Sequence, residues 1–179
     1  MPRVSREQTR SNRRKVVEVA ATRLREHGLE GVGVVDIMRS AGLTHGGFYG
    51  QFASKEALLD EAFVCALEQD RQHGLQALLT GRLSRRQARS AGRTCPLAAL
   101  ASDIARKDPN SSIRVKFTES VRHLLELAGG RTADGDEADR QRAIETVTVL
   151  IGSIVLARAV NDVRLQNELL DAAYSKGSR

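Results

Sequence analysis

Tryptophan is absent from the 179 residues and proline occurs three times. So few turn formers argue against a β-sandwich, which needs many short strands broken by Gly/Pro turns. Ala, Leu, Arg and Glu abound instead, which is the usage of helix formers. Two cysteines, Cys65 and Cys95, cannot build a disulfide framework. No uninterrupted apolar run reaches the ~18 residues of a membrane span. The longest stretch, Thr146 to Val160, is broken by Gly152, Ser153 and Arg158. Behind Met1-Pro2-Arg3-Val4-Ser5-Arg6 there is no apolar segment of the kind a secretory signal requires. Hydrophobic residues make up 41% of the chain, enough to build a core. The expectation is a soluble, cytoplasmic, all-α protein with no membrane partner.

Catalytic and metal-binding patterns are also missing. His27, His45, His73 and His123 share no ligand spacing with the cysteines, and there is no Walker loop. Gly28-Leu29-Glu30-Gly31-Val32-Gly33 departs from the dinucleotide fingerprint and follows no strand. No enzyme, metal site or cofactor is therefore expected.

What is present is unevenly spread charge. Residues 1–15 hold Arg3, Arg6, Arg10, Arg13, Arg14 and Lys15 against Glu7 alone, and residues 71–93 hold six arginines and no acid. From residue 94 onward twelve basic and twelve acidic residues cancel. A basic arm ahead of a neutral body suits a polyanion, although such runs are often only solvated surface.

Periodicity predicts helices over about 9–27, closed by Gly28, over 34–41 behind Gly33, from Thr44 to about 51, and from a Ser54 cap to about 73. Residues 80–94 read as an Arg-rich loop. Helices follow from Pro96, from Ser111 to Ala128, from Arg140 to Val160 and from Val163 to Tyr174, with an acidic loop before the third. Thr146 to Ile151 is β-branched enough for a strand, but no partner strand accompanies it, and helix is preferred.

Residues 33–52 have the layout of a helix-turn-helix, whose second helix enters the major groove. Thr44 and His45 offer donors at its start, and Gly46 and Gly47 let a backbone come close. Three of the six aromatics (Phe48, Tyr49 and Phe52) fall within five residues. Phe48 and Phe52, four apart, suit anchoring to the core and leave Tyr49 free for DNA; packing alone is the competing explanation.

The run Val35-Asp36-Ile37-Met38-Arg39-Ser40-Ala41-Gly42-Leu43-Thr44, followed by Gly47-Phe48-Tyr49-Gly50-Gln51-Phe52-Ala53-Ser54-Lys55-Glu56-Ala57-Leu58, resembles the TetR/AcrR family of bacterial transcriptional regulators. The likeness covers about residues 9–60. It implies an all-helical homodimer with three N-terminal helices for double-stranded operator DNA, and a helical body for dimerisation and an unknown small-molecule inducer. It further implies that Thr44, His45, Gly46 and Tyr49 meet bases or backbone and that Lys55 meets a phosphate; Arg3 and Arg10 of the basic arm join them. Gly50 replaces the family's usual larger residue, and Gly33 replaces its usual Ser or Thr cap. The expected domains are 1–53 for DNA and 54–179 for regulation and dimerisation. The expected activity is ligand-responsive repression; the alternative is a helical adaptor that has lost specific DNA binding.

Two further expectations concern the body. Cys95, ahead of Pro96 and near Arg93, sits at a helix start where a thiolate is favoured, as an inducer or redox sensor would have it; a small packed residue is the other explanation. The segment 147–156 is apolar nearly all round, which requires cover on every side. A second copy of the chain supplies that cover through Leu150, Ile151, Ile154, Val155, Leu169 and Leu170.

Overall fold

The computed structural model describes residues 6–73, 94–129 and 137–177, all of it helix and turn with no strand among them. The Arg-rich run 74–93, the acidic residues 130–136 and Arg3 lie outside the described residues. Seven α-helices follow in order: α1 (Arg6–His27), α2 (Val34–Ser40), α3 (Lys55–His73), α4 (Pro96–Ala105), α5 (Ser112–Leu127), α6 (Glu137–Ala159) and α7 (Val163–Gly177).

One apolar stripe per helix builds the core. Val16, Ala20, Ala21 and Leu24 of α1 meet Leu58, Ala62, Phe63 and Ala66 of α3, which packs along it. Ile37 and Met38 of α2 close the small N-terminal layer. Leu100 and Ile104 of α4 and Leu124 of α5 continue the cluster towards Val147, Leu150 and Ile154 of α6, against which α7 lays Leu170 and Ala173. The β-branched run Thr146 to Ile151 is helical, because every third or fourth residue of α6 finds the core. Pro96 occupies the first turn of α4, where its missing N–H costs nothing.

The second helix of the expected helix-turn-helix does not form as an α-helix. His45–Gly47 is a short 3-10 turn and the chain then runs through tight turns to Gln51. Three of its backbone bonds span three residues, from Gly47 N–H to Thr44 O (3.1 Å), Phe48 N–H to His45 O (3.0 Å) and Gln51 N–H to Phe48 O (2.9 Å), and one spans four, from Phe52 N–H to Phe48 O (3.0 Å). The reason is compositional: Gly46, Gly47 and Gly50 each cost about 1 kcal/mol relative to Ala in a helix interior. Thr44 stands at the N-cap position without a side-chain cap bond. Ser54 does cap α3, accepting from Ala57 N–H at 3.1 Å.

The N-terminal layer is fastened to the body at the end of α1. Gly28 takes φ +72°, which lets the chain leave the helix. The next amide, Leu29 N–H, donates to Oδ2 of Asp103 on α4 at 2.8 Å. A Cβ on Gly28 would stand 2.3 Å from that same oxygen. Lys107 reaches Glu30 at 2.6 Å beside this joint, and Lys116 of α5 reaches Asp60 of α3 at 2.8 Å. Gly28→Ala therefore meets backbone strain and evicts the Asp103 carboxylate together. Thermal unfolding should show a loss of at least about 1–2 kcal/mol; an unchanged midpoint would mean that the joint contributes nothing.

Candidate nucleic-acid interface

The turn 44–52 is anchored from beneath. Phe48 and Phe52 are buried and stack with centroids 5.5 Å apart, and Phe48 meets Tyr49 edge-on at 5.1 Å. Tyr49 itself is 73% exposed, the most exposed large hydrophobic side chain among the described residues, with His45 edge-on to it at 6.3 Å. Thr44, His45, Gly46 and Tyr49 thus come together on one solvent-facing surface. Lys55 is half-buried at the start of α3, and Arg10 is exposed on α1. Beside Lys55, backbone and Ser54 hydrogen bonds hold the Glu56 carboxyl below the usual range.

The glycines of this surface are not demanded by the chain's own packing. A Cβ on Gly46 would meet nothing within 4 Å, and on Gly47 or Gly50 it would make only ordinary contacts. None of the three has positive φ. The bareness of Gly46 is thus kept on the outside, where it allows another surface to approach the backbone.

The basic arm divides in two. Arg10, Arg14 and Lys15 are exposed, whereas Arg13 turns back and pairs with Glu61 of α3. Charge counting cannot see this, because the partner lies 48 residues away.

Of the two explanations for Cys95, burial supports the packed residue. Cys95 does stand at the N-cap of α4, but the thiol is buried. Burial first, and then the nearby Asp70 carboxylate, push its pKa well above the ordinary thiol value, outweighing the Leu97 and Ala98 backbone donors. The thiolate is disfavoured, so Cys95 packs as a small apolar residue. Cys65 on α3 is half-buried and also shifted up, again chiefly by burial.

The expected seam is sorted by the structure into two faces of one helix. Leu150 and Ile154 of α6 and Leu170 of α7 lie inside the single chain, within its own core. Ile151 and Leu169 are half-buried, and Val155 is exposed. Ile144, Leu156, Val163 and Leu165 are exposed apolar residues of the same two helices. The missing signal was an uneven moment: with apolar residues all round α6, sequence alone cannot say which side the chain covers itself.

Residues 16–62 match the family model described as bacterial regulatory proteins, tetR family. No curated protein matches by sequence. Among solved structures, the chain is similar to a TetR-family transcriptional regulator from Cytophaga hutchinsonii, with 19% identity over 99% of this chain and 97% of that one and a TM-score of 0.70. It is also similar to a TetR transcriptional regulator from Chloroflexus aurantiacus (24% identity, 96% and 94% covered, TM-score 0.71). A third is the reduced form of NemR from E. coli (18% identity, 92% and 96% covered, TM-score 0.69). At these identities the structural likeness establishes the fold of the whole chain, and the family match concerns its N-terminal part.

Burial makes a direct prediction for the thiols. In the native protein at neutral pH, Cys95 should resist iodoacetamide for as long as the fold persists and react on denaturation, as mass spectrometry of its peptide would record. Labelling of native Cys95 at the rate of a free thiol would contradict its packed position.

Proposed function

We propose that this chain, whose residues 16–62 belong to the tetR family of bacterial regulatory proteins, is a cytoplasmic transcriptional repressor that binds a near-palindromic operator as a homodimer and releases it on binding a small-molecule inducer. The observation that carries the reading is Tyr49, held out into solvent on the buried Phe48 and Phe52 beside the bare backbone of Gly46. At 73% exposure both the ring and its hydroxyl are open to a partner surface. His45 and Thr44 lie beside it, and α1 carries the exposed cations Arg10, Arg14 and Lys15, a set suited to duplex phosphates and base edges. Lys55 adds a cation at the start of α3.

Two such surfaces must sit about 34–36 Å apart to enter successive major grooves. An inducer that binds the body better in a splayed arrangement shifts the population to a form that cannot span both. Its effect is bounded by its differential affinity for the two states. The burial of Cys95 favours this route over modification of that thiol.

Selection from a randomised duplex library, followed by electrophoretic shift, tests the reading. The parent should enrich a near-palindrome; Tyr49→Ala and Lys55→Ala should each weaken its binding by about tenfold with unchanged helix content. Removing residues 2–8 should flatten the salt dependence, since fewer counterions are released. If nothing is enriched, or if all three variants bind like the parent, the chain is not a duplex reader.

Dimerisation has a test built from two neighbours on α6, one buried and one exposed. Val155→Glu, on the exposed face, should keep the monomer folded while abolishing the dimer in sedimentation. Ile154→Glu, in the protomer core, should unfold the chain, because an unpaired carboxylate buried there costs several kcal/mol. A Val155→Glu protein that still sediments as a dimer would place the interface elsewhere.

A further inference from the structure

The turn that carries Tyr49 has three glycines and, at its C-terminal end, a single four-residue backbone bond, Phe52 N–H to Phe48 O at 3.0 Å, so its setting on the helices beneath depends on contacts from outside it. One side chain reaches that end from three directions. The two terminal nitrogens of Arg13 fork onto the Glu61 carboxylate, Nη2 at 2.6 Å from Oε1 and Nη1 against Oε2. Its Nε–H donates to the backbone carbonyl of Gln51 at 3.3 Å. Its guanidinium carbon lies 4.5 Å from the centroid of the Phe52 ring. A planar fork can do all three together, whereas an ammonium is a point charge with neither the second parallel bond nor the flat face. The Glu61 bond also raises the Arg13 pKa, so the group stays charged throughout the working range.

From this geometry we infer that Arg13 is a positioning residue for the DNA-reading turn, clamped by Glu61, and not one of the arm's phosphate contacts. The inference rests on the proposed DNA-binding reading. Arg13 ties Gln51 and Phe52 to α3 and to α1 at once, so the surface bearing His45 and Tyr49 is set at a fixed angle to the two helices beneath it. The exposed neighbours Arg10, Arg14 and Lys15 remain for phosphates.

The two roles predict opposite signs at Glu61. If Arg13 met a phosphate, Glu61 would compete for it, and Glu61→Gln would tighten DNA binding. As a clamp, the same change loosens the turn and weakens sequence-specific binding. The experiment uses the full chain, a duplex recovered by the parent from a randomised library, and an unselected duplex of equal length, titrated across a range of salt. Arg13→Gln, Arg13→Lys and Glu61→Gln should each weaken the selected duplex by about tenfold. Binding to the unselected duplex and the slope of log affinity against log salt should stay as in the parent. Amide exchange in the DNA-free Arg13→Lys protein should quicken over 45–52 and not in α1 or α3.

Full retention of selective binding by Arg13→Lys, tightening by Glu61→Gln, or equal weakening of both duplexes by Arg13→Gln with a slope lower by about 0.9 would each overturn the inference. Should circular dichroism show Arg13→Gln unfolded, the other two variants decide by the same criteria. A parent that enriches no sequence would overturn the DNA reading and the clamp together; an enriching parent with the contrary variant results would overturn the clamp alone.

Discussion

The stacked pair Phe48 and Phe52 is the contact on which the putting-together of the reading surface depends. A turn containing Gly46, Gly47 and Gly50 forgoes about 3 kcal/mol of helix propensity relative to alanines. Fully burying one phenylalanine contributes about 1.5–3 kcal/mol, so the two rings together outweigh that loss, with the stacked geometry adding about 0.5–1.5 kcal/mol more. The chain therefore holds this segment by tertiary anchoring and not by helix propensity. That is why a 3-10 turn suffices where a regular helix was expected, and why the surface above the anchors is free to be nearly bare backbone.

Anchoring from beneath makes the turn answerable to the helices that carry the anchors. Phe48 and Phe52 belong to the same cluster as Leu58 and Phe63 of α3, and Phe63 in turn stacks on Phe117 of α5 at 6.3 Å. At the other end of the layer, Asp103 of α4 accepts from the Leu29 amide, the second beyond α1. A charge-assisted bond to a backbone N–H contributes about 1.5–3 kcal/mol, more than the exposed pair Lys107–Glu30 next to it, for which about 0–1 kcal/mol is usual. The body is thus joined to the N-terminal layer by this polar link, by the Lys116–Asp60 pair and by a continuous apolar core. A change in the body's arrangement has a mechanical path to the turn through α3 and through the α1 joint.

Much of this was legible in the sequence, and the failures have identifiable causes. Helices with a single apolar stripe and a terminal signal, such as α1 with Gly28 or α4 with Pro96, could be placed to within a few residues. Phe48, Tyr49 and Phe52 stand out in the sequence because aromatics are so scarce elsewhere, and the four-residue spacing of Phe48 and Phe52 points to the buried pair. What could not be read were pairings across long separations: Arg13 with Glu61, and Leu29 with Asp103. Local pattern carries no information about either. Cys95 illustrates a different limit. Its place at a helix start was correctly read, but a helix start lowers a thiol pKa only where water or cations reach it, and depth of burial is not a local property.

The two-sided character of α6 bears on how much the reading turn can accomplish alone. Under the proposed function, each turn offers Thr44, His45 and Tyr49 as its side chains at the duplex. A good base contact discriminates by about 1–3 kcal/mol, so three of them give about 3–9 kcal/mol against the roughly 4–10 kcal/mol that separates specific from non-specific binding. Doubling the surface through a two-fold axis raises the total without lengthening the turn. The outward residues Ile151, Val155 and Leu156 then have a physical reason to remain apolar although the chain does not cover them itself. Under that function, a short, glycine-rich reader and a body helix apolar on both faces are two expressions of one economy, in which neither the reader nor the helix is complete in a single copy.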